Sequence, residues 1–419
     1  MKKLLYLTAL VTLFVTSLSA QQLDLSAEVR PRFENRHGYK TLFDQNTDGA
    51  NFISQRSRLN FNFKQDKIRL GLVLQNVRVW GDVSTLSSSD SQIAFHQAWA
   101  EAILSDKVSL KFGRQEIVYD DSRIFGNVGW AQQARSHDAL LIKFKTGEDS
   151  RLDIGFAINA DGQLLSDALY SNAAGYKAFQ YAWYHSKLDK FGLSLLILNT
   201  GIEYLDASND QTTDYMQTLG ARLTYKNGKF SANGAGYLQS GKSRNAEVTA
   251  GYFGANLGYK MSDNFTFGFG LDYLSGKDMN DSSTDVKSFA PLFGTNHKFN
   301  GWMDYFYVGN HANNVGLTDV NFTLAYKKDK FSAKLIPHFF SAAADVYDGA
   351  TLMDSSLGTE VDLVLGYKVA KDIMFNVGYS KMYATDSMEV LKGGDKDADN
   401  SWGWIMFTFK PKLFSSAKK

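Results

Sequence analysis

The sequence holds no cysteine and only 4 prolines in 419 residues, which excludes disulfide staples, thiolate metal sites and a lipid-modified cysteine anchor. It also lacks a surplus of either charge. Lysine and arginine total 45 against 44 aspartates and glutamates, so the charge footprint of a nucleic-acid binder is absent. After residue 20 no apolar run approaches the roughly 20 residues that a membrane-spanning helix needs. The longest candidate, Leu193-Ser194-Leu195-Leu196-Ile197-Leu198, stops after a few positions.

The first 20 residues are different. Lys2 and Lys3 precede an apolar stretch from Leu4 to Leu18, and Ser19-Ala20-Gln21 follows with small side chains. That order reads as a secretory signal peptide over residues 1–20, cut after Ala20, leaving residues 21–419 as one domain. As an N-terminal anchor the stretch is too short. An exported chain without a second hydrophobic helix is periplasmic, secreted or an outer-membrane barrel.

What the mature chain has in abundance is alternation. Leu23, Leu25, Ala27, Val29 and Phe33 share one parity, and Asp24, Ser26, Glu28, Arg30, Arg32 and Glu34 share the other. A period of two places these sets on opposite faces of a strand. The run covers about a dozen residues, longer than the ~5–6 of a soluble strand and enough for the ~9–11 of a bilayer-spanning one. It recurs at Leu59-Phe61-Phe63, Leu152-Ile154-Phe156-Ile158, Leu219-Ala221-Leu223-Tyr225, Phe265-Phe267-Phe269-Leu271 and Val361-Leu363-Leu365-Tyr367, each with a polar counter-face. Such dyads, weak singly and strong in sum, mark a transmembrane barrel.

The connections give a count. Short polar turns fall at 65–67, 105–107, 147–149, 189–190, 227–228, 262–264, 328–330 and 370–372, Asn227-Gly228 being the clearest hairpin signal. Between them lie nine longer stretches, at 37–50, 81–91, 119–133, 160–176, 205–213, 240–247, 275–317, 343–357 and 384–400. Eight turns and nine loops predict an all-β, antiparallel barrel of about 18 strands, with short periplasmic turns and long extracellular loops. Tyr225-Lys226, Tyr259-Lys260, Tyr326-Lys327 and Tyr367-Lys368 precede turns, while Phe230, Phe265, Phe331 and Phe375 follow them. Aromatic rings at the edge of the apolar band, with lysine beyond, suit a membrane interface. A soluble β-protein with amphipathic hairpins is the competing account. The final strand, Trp402 to Phe409, turns Ile405, Phe407 and Phe409 outward and is followed by a tail from Lys410 to Lys419.

By parity the lumen receives Arg30, Arg32, Arg56, Arg58, Arg69, Lys143, Lys145, Arg151, Arg222 and Lys334, against Asp24, Glu28, Glu34, Glu101, Asp153, Asp272, Glu360 and Asp362. Arg30, Arg32, Arg56, Arg58 and Arg69 lie on three successive strands and should form a basic wall. Guanidinium groups bind carboxylates in pairs of hydrogen bonds, and charged rings set pore selectivity. Two outcomes follow from the sequence: an anion-attracting constriction, or a plug of mutual salt bridges in which Glu28 and Glu34 neutralise Arg30 and Arg32. A barrel of this size holds an aqueous channel unless loops fold in, and Ser275 to Leu317 is long enough to do so.

Other signals are weaker. Gly236 to Ser243 fits a phosphate-binding loop by letter, but it joins an amphipathic strand to a loop rather than to a helix. Asp395, Asp397 and Asp399 have calcium-loop spacing without the glycine and terminal glutamate that such a loop uses; loop calcium there is the one cofactor the sequence suggests. None of the seven histidines lies in a metalloprotease or serine-hydrolase motif, so no enzyme is expected.

The segment from Trp99 to Phe144 resembles the alginate export family of outer-membrane barrels. The residues carrying the likeness are Gly113-Arg114-Gln115, Asp120-Asp121, Arg123, Gly126, Trp130, Arg135 and Asp138. Arg56-Ser57-Arg58-Leu59, Trp80-Gly81-Asp82 and Gly294-Thr295-Asn296-His297-Lys298-Phe299, with Gly301 and Asp304, support it. The resemblance implies an eighteen-stranded barrel whose charged lumen passes an anionic polysaccharide, with Arg114, Arg135 and Asp138 among the pore residues. Strict alternation from Val108 would turn Arg114 to lipid, so a bulge at Gly113 is expected to re-aim it inward. The resulting expectation is an outer-membrane channel for polar, anionic solutes such as acidic oligo- or polysaccharides, embedded in lipid and lipopolysaccharide. A weakly selective porin and a loop-closed structural or adhesive barrel are the alternatives.

Overall fold

The computed structural model describes residues 21–89, 92–170, 175–307, 311 and 314–417; the segment read as a signal peptide lies outside them. The first half of the wall is β1 (Gln21–His37), β2 (Ala50–Gln65), β3 (Ile68–Val79), β4 (Ile93–Ile103), β5 (Val108–Gln115), β6 (His137–Lys145), β7 (Ser150–Ile158), β8 (Ala178–Leu188) and β9 (Phe191–Leu205). The second half is β10 (Gln211–Asn227), β11 (Phe230–Ser243), β12 (Ala246–Lys260), β13 (Phe265–Leu274), β14 (Leu317–Lys328), β15 (Phe331–Ser341), β18 (Ser356–Ala370), β19 (Ile373–Ala384) and β20 (Ser401–Phe409). A small hairpin, β16 (Tyr347–Asp348) and β17 (Thr351–Leu352), decorates one loop.

Each strand pairs antiparallel with the next, and β20 returns to pair with β1 from Val29 to His37, closing an 18-strand barrel. The tail contributes as well. β21 (Lys412–Ser415) lies along β1 at Asp24–Ser26 and extends the closing seam beyond Phe409. Closure matters because an unpaired strand edge in hydrocarbon leaves a row of unsatisfied amides.

The eight short turns fall where the polar breaks predicted them. Asp66, Asp189, Asp329 and Asp372 occupy them with φ between 36° and 83°, and Gly228 with 56°. Aspartate is among the few residues with a β-carbon that tolerates this region. The barrel is inside-out. On β10 the inward Thr218 is 0% exposed while the outward Leu219 beside it is 47% exposed. Tyr225, Tyr259, Tyr326 and Tyr367 face lipid at the periplasmic edge. The lysines after them have the opposite parity, so Lys226, Lys260, Lys327 and Lys368 stand on the mouth side rather than beyond the rings at the interface.

Two sequence expectations resolve here. β11 runs unbroken through Gly236–Ser243 and reverses at Arg244-Asn245, both at positive φ, so the phosphate-loop pattern is ordinary hairpin. The bulge at Gly113 is a correction. Gly113 does take φ 110°, but neither pairing of β5 shifts register there, and Arg114 stays on the outward parity, 44% exposed. It pairs with outward Asp138, 60% exposed, at 2.7 Å. The pair escapes hydrocarbon by height: it lies at the extracellular ends of β5 and β6. On neighbouring strands, Gln180, Asn199 and Gln217 form an outward amide ladder with 2.8 Å steps, marking where the apolar band ends.

Leu219→Arg, on the lipid face well inside β10, is expected to lower the unfolding free energy by about 2–4 kcal/mol. Arg114→Leu should change it by less than about 1 kcal/mol, as for an exposed ion pair. Urea titration in lipid vesicles followed by tryptophan fluorescence checks both, and equal losses would place Arg114 in the apolar band.

Candidate functional site: a lumen strapped by two loops

Two extracellular loops fold into the barrel and meet across it. Residues 116–136 connect β5 to β6, and 275–316 connect β13 to β14. Their backbones join where Gly126 N–H donates to Phe293 O at 2.8 Å and Thr295 N–H to Ser122 O at 2.9 Å. Val128 N–H donates to Thr295 Oγ1 at 3.0 Å, and Arg135 Nη1 to Gly294 O at 3.0 Å. Only glycine fits at Gly126, since a β-carbon there would stand 2.2 Å from Thr295 Oγ1. The Gly294–Asp304 motif therefore forms the crossing itself.

The first loop is a strap tied on opposite sides of the wall. On the β1–β2 side, Arg30 donates to the carbonyls of Gly129 at 2.8 Å and Trp130 at 2.9 Å, and to Gln132 Oε1. Arg32 donates to Trp130 O at 2.8 Å and pairs with Glu34 at 2.8 Å, its guanidinium over the Trp130 ring. Arg56 pairs with Glu28 at 2.5 Å. Trp130 is held in turn by His297, stacked at 4.8 Å, and by Trp404 edge-on at 4.9 Å. On the far side, Asp120 accepts from Trp183 Nε1 at 2.9 Å and Ser194 Oγ at 2.5 Å. Asp121 accepts from Arg222 at 3.3 Å.

Arg123 makes the deepest tie, to Asp272 at 2.6 Å, with Asn300 from the second loop beside both. Burial alone would pull the Arg123 guanidinium down, but the Asp272 carboxylate holds it above its ordinary value. The second loop is tied to β18, where Met303 N–H donates to Glu360 at 2.8 Å and Trp302 N–H to Asp362 at 3.2 Å. Gly301 sits at φ 80°, where a β-carbon would lie 2.6 Å from Glu360 Oε2. Next to them His338 contacts Asp319 at 2.9 Å.

This places the sequence-predicted residues. Arg30, Arg32 and Arg56 do come together as a wall, but they are buried beneath the strap and hydrogen-bonded to it, with Arg32 paired to Glu34 and Arg56 to Glu28. Of the two outcomes expected, the arrangement is nearer the mutual salt bridges than an open constriction. Arg58, bound to Gln75 at 2.7 Å, lies just below. Arg69 and Arg151 are open to the lumen, 46% and 49% exposed, beside Glu101 and Asp153. Arg222 supports the strap, Arg135 holds the crossing, and Arg114 and Asp138 are on the outer flank rather than in the pore. Asp397 pairs with Lys396 at 2.8 Å and Asp399 with Lys381, while Asp395 accepts the Asp397 N–H at 2.8 Å. Parity reasoning missed Arg123 as an anchor, because a loop residue has no strand parity.

Two polar spaces flank the straps. Above them, beside β1–β3, a cavity of 510 Å³ opens to the outside. In it Arg36 lies over Tyr39 at 4.2 Å and Phe52 at 4.8 Å, and Lys40 over Tyr307 at 5.3 Å. Below them, Lys64, Lys145, Lys187, Lys226, Lys327 and Lys368 share the inward parity near the periplasmic mouth and are exposed. The acidic groups on the strands at that level are matched: Glu101 with Lys143 and Arg69, Asp153 with Arg151, Glu28 with Arg56 and Lys410, and Asp24 with Lys412, whereas the turn acids Asp66, Asp149, Asp189, Asp329 and Asp372 have no ion pair among the described residues.

A closed antiparallel barrel, apolar outside and lined with charge around two inward straps, is an outer-membrane channel. The chain belongs to the alginate export family, whose model matches residues 21–403. No curated protein matches it. Among solved structures it is similar to the Pseudomonas aeruginosa porin OccK9 (OpdG), with TM-score 0.63, 12% identity and 93% of this chain and 98% of that one covered. OccAB1 of Acinetobacter baumannii has TM-score 0.63 and 12% identity, with coverage of 94% and 97%. OccK2 (OpdF) of Pseudomonas aeruginosa, solved in complex with glucuronate, has TM-score 0.61 and 14% identity, covering 94% and 98%. At these identities the likeness speaks for the fold.

Arg56→Met leaves Glu28 with Lys410 alone, at 3.1 Å, so the loss is expected to fall below the roughly 3–5 kcal/mol of a buried charge left without a partner. The strap is expected to loosen while the barrel persists. Single-channel conductance should rise, with the heat-dependent electrophoretic shift of a folded barrel retained. Unaltered conductance would mean that the strap does not limit flow.

Proposed function

We propose that this channel passes small anionic solutes, acidic oligosaccharides among them. One observation carries the reading: the strands below the straps carry exposed, inward-facing lysines with no ion pair among the described residues, while the inward carboxylates of the wall at that level, Asp24, Glu28, Glu101 and Asp153, are each paired. A ring of unpaired positive charge on the lumen wall, above the turns, raises the local concentration of anions and repels cations. The upper cavity supports the saccharide part. Cations laid over aromatic faces offer a partner for a carboxylate and a flat apolar surface for a sugar ring: Arg36, over Tyr39 and Phe52, donates Nε and Nη2 to Glu34 and keeps Nη1 without a hydrogen bond among the described residues. The glucuronate bound to OccK2 (OpdF) shows a uronate in a barrel of the same fold. A second reading, a barrel kept shut by its loops, draws on the direct bonding of the two straps across the lumen.

In a planar bilayer under a salt gradient, the reversal potential is expected to report anion preference. Changing Lys145, Lys187, Lys226 and Lys368 to glutamate should invert its sign. Glucuronate oligomers should block current partially, and Arg36→Gln should weaken that block about tenfold, the loss of one charged hydrogen-bonding partner. A wild-type pore without anion preference would refute the proposal. Absence of conductance in wild type together with conductance in Arg56→Met would establish the closed barrel.

A further inference from the structure

The wall is uneven in height. β5, β6 and β7 have 8, 9 and 9 residues, whereas β9 to β12 have 15, 17, 14 and 15. Over the short strands the wall leaves a notch, and a cavity of 430 Å³ occupies it. Its lining comes from both sides of the wall. Arg114 and Asp138 belong to the outward parity, Arg135 and Tyr176 to the flanking loops, and Leu292 and Phe293 to the inward loop that backs it.

Directly below, on the lipid face, lies a groove of 620 Å³ walled by Phe112, Leu140, Phe156 and Ile158. Asp138 lines both spaces, so groove and cavity adjoin at that residue. Gln180, the start of the amide ladder at the top of the apolar band, also lines the groove. The groove therefore climbs from hydrocarbon depth to headgroup depth and ends at the notch.

The charge at the notch is unbalanced. Arg114 is matched by Asp138 at 2.7 Å. Arg135 has no carboxylate within ion-pair distance among the described residues, and its guanidinium donates to Gly294 O at 3.0 Å. Burial draws its guanidinium below the ordinary value. A half-buried cation without a counter-charge is unfavourable until an anion joins it. At headgroup height on this flank the outer leaflet supplies amphiphiles.

We propose that the notch over β5–β7 is a lipid seat, holding one outer-leaflet lipid with its phosphorylated headgroup at Arg135 and Arg114 and an acyl chain in the groove of Phe112, Leu140, Phe156 and Ile158. Basic pockets between membrane-spanning elements recognise headgroups in this way. Asp138 weakens the attraction, since it offers a like charge to the phosphate. The seat is independent of which solute crosses the lumen.

Native mass spectrometry of the refolded full chain, titrated with diphosphoryl lipid A in detergent, tests it. One lipid A per barrel is expected to be retained, with at least about tenfold weaker retention of dephosphorylated lipid A and of lipid A by the Arg114→Gln/Arg135→Gln double variant. Phe156→Ala should weaken retention and Asp138→Asn should strengthen it, a rise that a merely damaged barrel would not show. The folded state of each variant is read from its heat-dependent electrophoretic shift. Equal retention of both lipids, wild-type retention by the double variant, or weaker retention by Asp138→Asn would overturn the seat. Displacement of lipid A by an equal concentration of inorganic phosphate would reduce it to an ion site and overturn it too.

Discussion

Every backbone amide that enters hydrocarbon must find its partner within the protein, and the rest of this structure follows from that constraint. A sheet satisfies it only by closing. Here the closing seam is long, because β1 pairs with β20 up to the extracellular end and with β21 down at Asp24–Ser26. Once closed, the sheet must be apolar outside, which leaves the polar counter-face of every strand pointing at the lumen. The charged interior is thus a consequence of the wall before it is a tool of transport.

Much of that interior charge serves construction. Arg30, Arg32 and Arg56 hold the loop after β5 by its carbonyls, while Asp120, Asp121 and Arg123 fasten it to the opposite wall. Guanidinium groups suit this task, since each offers several donors in a fixed plane and cannot lose its charge. The carboxylates Glu360 and Asp362 do the complementary work for the second loop by accepting backbone N–H groups. What still faces the solutes lies at the two ends: the cations over aromatic rings in the outer cavity and the lysines of the periplasmic mouth. The division is physical, since a charge bonded and buried in a strap is shielded from the passing solution.

Strand number, turn positions and the inward or outward assignment of most strand residues were legible from parity, because the two faces of the wall meet chemically opposite solvents. At Arg114 parity points outward, as observed, and the expected bulge rests on a mistaken mid-bilayer depth. Depth depends on where a strand ends relative to the membrane, and β5 is only 8 residues long. The four tyrosine–lysine pairs show the same division of labour: their position near the edge was readable, but the lysines' turn toward the mouth needed the register.

The sequence by itself determined the closed, eighteen-stranded wall and the polar character of its interior, because both follow from local alternation and from turn residues such as Asn227-Gly228. Only the tertiary structure decided which lumen charges are rivets and which are open. Arg56 and Arg69 share inward parity, yet one is buried under a strap and the other is nearly half exposed. The difference comes from loop residues some 75 positions away in the chain, such as Ala131, whose carbonyl lies 3.5 Å from Arg56. Loops carry no periodicity, so their path across the lumen is set by the contacts they find there.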